Sequence, residues 1–133
     1  MHPDLAEIFR AVQLPSNVGA LTQAVAVKIA REVGVIPSRV ELCARERERV
    51  SRALREIDTI EVHPSVTNFI LFRLREGKPA DVHARFLEKG VLIRDVSMWP
   101  ANENTLRVSI GTPEENDRFM SAIKHAFPAP ARA

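Results

Sequence analysis

Two arginines, Arg94 and Arg107, sit where their chemistry is most easily read. Leu106, Val108 and Ile110 alternate with Arg107, Ser109 and Gly111, the period-two pattern of a strand with one buried face, so Arg107 is predicted to point away from the apolar side. Val91-Leu92-Ile93-Arg94-Asp95 reads as a neighbouring strand that carries the second arginine. A guanidinium fork matches carboxylate and phosphate alike, so two arginines aimed from one sheet at one place point to a small anionic ligand. The plainer reading of Arg107, pairing with a nearby carboxylate or facing solvent, stays open at this stage.

The elements that must position these side chains follow from the flanking residues. Thr112 suits an N-cap, Pro113 the first helical position, and Glu115 stands three residues after the cap to close a capping box. The helix that starts there carries Phe119, Met120, Ile123 and Phe127 on one stripe. Upstream, Thr59-Ile60-Glu61-Val62 is a short candidate strand. Asn68 to Leu74 is a strong one, whose continuous apolar run suits a central place. Pro79 opens a helix with Val82, Phe86 and Leu87 on one face, ended by Lys89-Gly90.

Two further helices are predicted near the N-terminus. The first runs from about Asn17 to Val33, capped by Ser16 or Asn17, and its apolar surface extends nearly all the way round. The second is capped by Ser38 and carries Val40, Cys43, Val50, Leu54 and Ile57, with Arg47 interrupting the seam. Its run Arg45-Glu46-Arg47-Glu48-Arg49 alternates in sign, Glu48 makes an i,i+4 pair with Arg52 beyond it, and the whole reads as a solvated helix face.

This order of elements predicts an α+β fold: N-terminal helices followed by a two-layer split β-α-β sandwich, a small antiparallel or mixed sheet with helices on one face. Asn68–Leu74 and Val91–Asp95 are expected to run parallel, with the Arg107 strand between them and antiparallel to both. The expected divisions are 1–57, an N-terminal segment with connecting helices; 58–127, the α+β domain; and 128–133, a disordered tail.

Composition narrows the function classes. With 19 basic against 17 acidic residues the chain is near balance, so nucleic acid is not the expected partner. The one cysteine, Cys43, cannot close an internal disulfide and reads as a structural thiol. No signal peptide and no apolar run of spanning length is recognisable, so a cytoplasmic, membrane-free protein is expected. His2, His63, His83 and His125 lack metal-like spacing, so no metal site is predicted. Met98 and Trp99 read as loop residues that cover the sheet edge.

The stretches Gly90–Asp95, Leu106–Asn116 and Asn68–Phe72 together resemble the C-terminal part of histidinol-phosphate aminotransferase, a fold-type-I enzyme dependent on pyridoxal phosphate. The resemblance extends upstream through His2-Pro3-Asp4-Leu5 and Leu14–Val18 to Thr22-Gln23-Ala24, and leaves only the tail outside it. It implies that Arg107 holds a substrate carboxylate and Arg94 helps with the phosphate, with Asn17 and Asn68 as possible minor contacts. Ser16 departs from the family, where that position is usually aromatic, and Ser97–Ala101 matches no family loop.

The resemblance also implies what should be missing. The family's Schiff-base lysine, its pyridine-nitrogen aspartate and its phosphate-binding loop lie upstream of the part matched here, so no cofactor and no catalytic residue are expected in this chain alone. Met1 then reads as the start of a shortened chain or truncated gene. The implied function is the small domain of an enzyme that moves an amino group between glutamate and histidinol phosphate in histidine biosynthesis, inactive without its large domain. The alternative is a stand-alone anion-binding or oligomerisation module. In either case the apolar first helix calls for cover, by a missing large domain or by a second copy in a homodimer.

Overall fold

The structure, a computed structural model, describes residues 18–32 and 34–127. They fall into two compact units, one ending at Pro37 and one beginning at Ser38. In the first, α1 spans Ala20–Arg31 and buries none of its residues. Gly19 occupies the N-cap with no side-chain bond. The expected caps, Ser16 and Asn17, lie outside the described residues.

Helix α2 spans Val35–Arg55 and runs from the first unit into the second. Ser38 is therefore inside the helix and not its cap. The start lies about a turn earlier because Gly34 takes a left-handed φ of 98° just before it, and Pro37 falls in the first turn, where no intrahelical N–H is needed.

The second unit continues with β1 (Ile60–Val62), β2 (Phe69–Leu74), α3 (Pro79–Glu88), β3 (Arg94–Asp95), β4 (Thr105–Ser109) and α4 (Pro113–Ala126). This is the α+β arrangement the sequence predicts. The strands form one sheet in the order β1-β2-β4-β3, antiparallel at every step. β2 and β3 thus run parallel on either side of β4, as expected of a split β-α-β layer. β3 is shorter than predicted: Gly90 turns at φ 69° and the Val91 amide donates to the Phe86 carbonyl, so the chain is still tied to α3 before it joins the sheet.

Alternation decides the two faces. Ile60, Ile70, Phe72, Leu74, Leu106 and Val108 are buried on one side against Val50 and Leu54 of α2, Val82 and Phe86 of α3, and Phe119, Ala122 and Ile123 of α4. Phe86 stacks on Phe119 with ring centroids 5.2 Å apart and meets Phe127 edge-on at 6.4 Å. Leu87, predicted for the inner stripe of α3, is instead 55% exposed. The other side of β2 and β4 carries Phe69, Leu71, Arg73, Thr105, Arg107 and Ser109, and no helix of this unit's core packs on it.

Candidate functional site: an arginine pair on the open face of the sheet

The β4–α4 corner forms as its sequence dictates. Thr112 accepts from the Glu115 amide at 3.3 Å, and the Glu115 carboxylate accepts from the Thr112 amide at 2.7 Å, closing the capping box. Gly111 is required by this closure, because a Cβ there would stand 2.9 Å from the Glu115 Cβ and collide with its carboxylate. Asn116 completes the corner: its Oδ1 accepts from the Gly111 amide, and its Nδ2 donates to the Gly111 carbonyl, both at 3.1 Å.

Just before this corner, Arg107 stands directly opposite Arg94 across the β3–β4 pair. Residues in register on antiparallel strands share a face, so both side chains leave the side away from the helices. The two arginines and Ser109 line an open hollow of about 440 Å³ with Leu92 and Ile93. Arg94 is exposed and Arg107 half-buried. The Arg107 guanidinium lies over the Phe69 ring, 5.3 Å from its centroid, and its buried Nε meets no hydrogen-bond acceptor. Neither arginine forms an ion pair among the described residues. Like charges set opposite each other destabilise a sheet, so the arrangement favours an anion that both can hold.

The other candidates are placed as follows. Asn68 acts through its backbone, whose carbonyl accepts from the Ile110 amide at 2.8 Å, while its side chain is exposed. Asn17 lies outside the described residues. Met98 is 94% exposed and covers nothing, and Trp99 is half exposed. His125 pairs with Glu88 at 2.9 Å, and no group of three metal-binding side chains occurs among the described residues. No described helix is long and apolar enough to cross a membrane. A second hollow, about 630 Å³, lies elsewhere in the unit, at Ile57, Lys78 and Phe127, and brings no arginine pair together.

The charge run of α2 is where the sequence reading fails. Glu46 is only 4% exposed, Arg47 and Arg49 are half-buried, and a solvated face does not describe them. The Glu46 carboxylate accepts from Arg49 Nη2 at 2.5 Å and from Asn116 Nδ2 at 2.9 Å. Arg49 also reaches Asp117 at 2.5 Å and the Pro113 carbonyl at 3.2 Å. These hydrogen bonds, Arg49's above all, hold the Glu46 pKa below the usual carboxylate range against the opposing effect of burial, and Glu46 in turn raises that of Arg49. Arg47 donates to the Thr67 carbonyl at 2.9 Å. Glu48 is bonded to Arg55 at 3.4 Å and not to Arg52. Alternating charge along a helix cannot reveal that its partners lie some seventy positions downstream.

Residues the sequence did not single out include Phe69, whose ring supports Arg107, and Ser109, which lines the hollow. Their place two residues before Leu71 and two after Arg107, on the same alternating faces, was the available signal. Arg73 shares the open face but leans the other way, donating to the Ala101 carbonyl at 3.3 Å.

No protein-family model matches the chain. Its curated homologues include histidinol-phosphate aminotransferases: that of Thermoanaerobacter pseudethanolicus is 36% identical over 121 residues, covering 91% of this chain and 34% of the relative. That of Streptomyces avermitilis is 38% identical over 128 residues, 92% of this chain and 32% of the relative. The chain thus spans about a third of the length of the curated relatives it matches. Among solved structures, L-threonine-O-3-phosphate decarboxylase from Porphyromonas gingivalis aligns at 29% identity with a TM-score of 0.65, over 92% of this chain and 38% of that one. The histidinol-phosphate aminotransferase of Clostridium acetobutylicum, at 23% identity and a TM-score of 0.73 over 91% and 37% of the two chains, shares the fold.

Proposed function

We propose that this chain is the ligand-holding part of a pyridoxal-phosphate-dependent aminotransferase of the histidinol-phosphate type, and that Arg94 and Arg107 grip the anionic ends of its substrate. The observation that carries the reading is the in-register pair itself, two guanidinium groups on an open face that no acid among the described residues neutralises. The names of two relatives agree with it, since histidinol phosphate and threonine phosphate both bear a phosphate. Arg107, braced on Phe69, takes the inner anionic group, and exposed Arg94 takes the outer.

The residues of this chain do not fit the cofactor. Of its four lysines, Lys78 and Lys89 flank α3 and Lys124 lies on α4, all in the layer behind the sheet, while Lys28 belongs to α1 in the other unit. None of the three lysines of this unit shares the open face with Arg107. Binding and orienting the anion is therefore the step assigned to this chain, and amino transfer is assigned to residues outside it, in a large domain.

The test is reconstitution. The chain mixed with glutamate, pyridoxal phosphate and the ketone of histidinol phosphate should transfer no amino group, and a lysine-bearing large domain added as a second chain should restore transfer. Transfer by the chain alone would overturn the reading. Phosphate binding without any gain on reconstitution would favour the stand-alone anion-binding module.

A further inference from the structure

The α2 charge run does not line the hollow of the arginine pair, yet its hydrogen bonds reach both strand ends that flank the Phe69–Arg107 stack. We propose that Glu46 and Arg47 are positioning residues for Arg107, acting by fixing the entry to β2 and the exit from β4. This rests on the reading of Arg107 as an anion-binding arm and concerns what aims it.

At the β2 entry, Arg47 holds the Thr67 carbonyl at 2.9 Å. The Thr67 and Ser65 hydroxyls both donate to the Phe69 carbonyl, at 3.2 and 2.5 Å, so this turn fixes the residue whose ring lies beneath Arg107. At the β4 exit, Asn116 holds both polar groups of Gly111 and is itself held by Glu46 at 2.9 Å. The two ends are joined, because Phe69 pairs with Ser109 in register and the Ile110 amide donates to the Asn68 carbonyl. Neighbouring residues of one helix therefore set both sides of the stack.

Arg107 depends on such a brace because its guanidinium makes no hydrogen bond to any described residue. Among the described residues its direction is set by the Phe69 ring and by the path of β4. A cation over a ring is held less strictly than one in a bidentate bond, so a small shift of either strand end re-aims it.

The experiment uses the full chain and the variants Arg47→Met, Asn116→Ala and Glu46→Gln, with Glu48→Gln as an exposed control on the same helix. Two quantities are read: the Arg107 Nε–H resonance by nitrogen-15 NMR, shifted by the Phe69 ring current, and the affinity for inorganic phosphate. Arg47→Met and Asn116→Ala should move the resonance toward that of a free arginine. They should also weaken phosphate by about tenfold, the effect of one hydrogen bond's worth of positioning. Glu46→Gln, which keeps an acceptor for Asn116, should fall between them and the unchanged Glu48→Gln. Arg47 lies toward the surface, so its variant keeps the test open if Asn116→Ala fails to fold. Folded Arg47→Met with an unaltered resonance and affinity would overturn the proposal. A parent chain that binds no phosphate, whose Arg107 resonance still moves in Arg47→Met, would instead sink the anion-site reading and leave the brace standing.

Discussion

Arg107 and Arg94 face each other across β3 and β4 with no ion-paired acid among the described residues, and the inner of the two rests on the ring of Phe69. Two cations set opposite each other cost a sheet some stability, a cost that the proposed anion would offset.

Arg107→Gln should therefore separate binding from folding. Phosphate binding should be lost, while stability holds or rises by up to about 1 kcal/mol, because a like-charge contact and an unpaired buried Nε disappear together. Calorimetric titration alongside urea denaturation checks both, and a large loss of stability would show that Arg107 serves the fold.

Acid should act through Glu46. Its pKa in the folded state is lowered from the ordinary 4.5, so the stability it contributes is present above that value and lost as pH falls through the lower folded pKa. Glu46→Gln should cost stability at neutral pH and flatten the acid limb of the unfolding profile below pH 4.5. An acid limb of unchanged slope would remove Glu46 from that role.

Gly111→Ala should destabilise by about 1–2 kcal/mol, because the new methyl collides with Glu115 and opens the capping box. In a Glu115→Ala background the same substitution should cost less, since the carboxylate it displaces is gone and only the contact with the residue 115 Cβ remains. Additive effects in the double variant would contradict this account of the glycine.

Phe86→Ala removes the ring shared by Phe119 and Phe127 at the centre of the helix layer, and should cost about 3–5 kcal/mol. Denaturant midpoints would measure it, and a loss below about 1 kcal/mol would mean that the site collapses around the gap.

Self-association is expected of the isolated chain. Leu21 is 80% exposed and Val25, Val27 and Ile29 about half exposed on α1, an apolar surface that a second copy or a large domain is proposed to cover. Light scattering at micromolar concentration should find species larger than 14.9 kDa, and Val25→Asp with Ile29→Asp should return the chain to that mass. A monodisperse monomer before substitution would count against the proposal.

Local patterns decided much of this protein. The alternation from Leu106 to Ile110 placed Arg107 on the open face, and the Thr112–Glu115 box fixed where α4 begins, because strand alternation and caps depend only on residues a few positions apart. The break before α2 was legible from Gly34, although Pro37 drew the predicted start of the helix to Ser38. What only the tertiary structure decided concerns long-range partners. Glu46 looks like any charge on a solvated helix until the fold brings Asn116 to it, and only then does burial beside Arg49 turn an apparently surface carboxylate into an anchor. The same holds for Arg107: its alternation gave the face, but its aim comes from Phe69, thirty-eight positions earlier, because strand register and not sequence neighbourhood brings the two together.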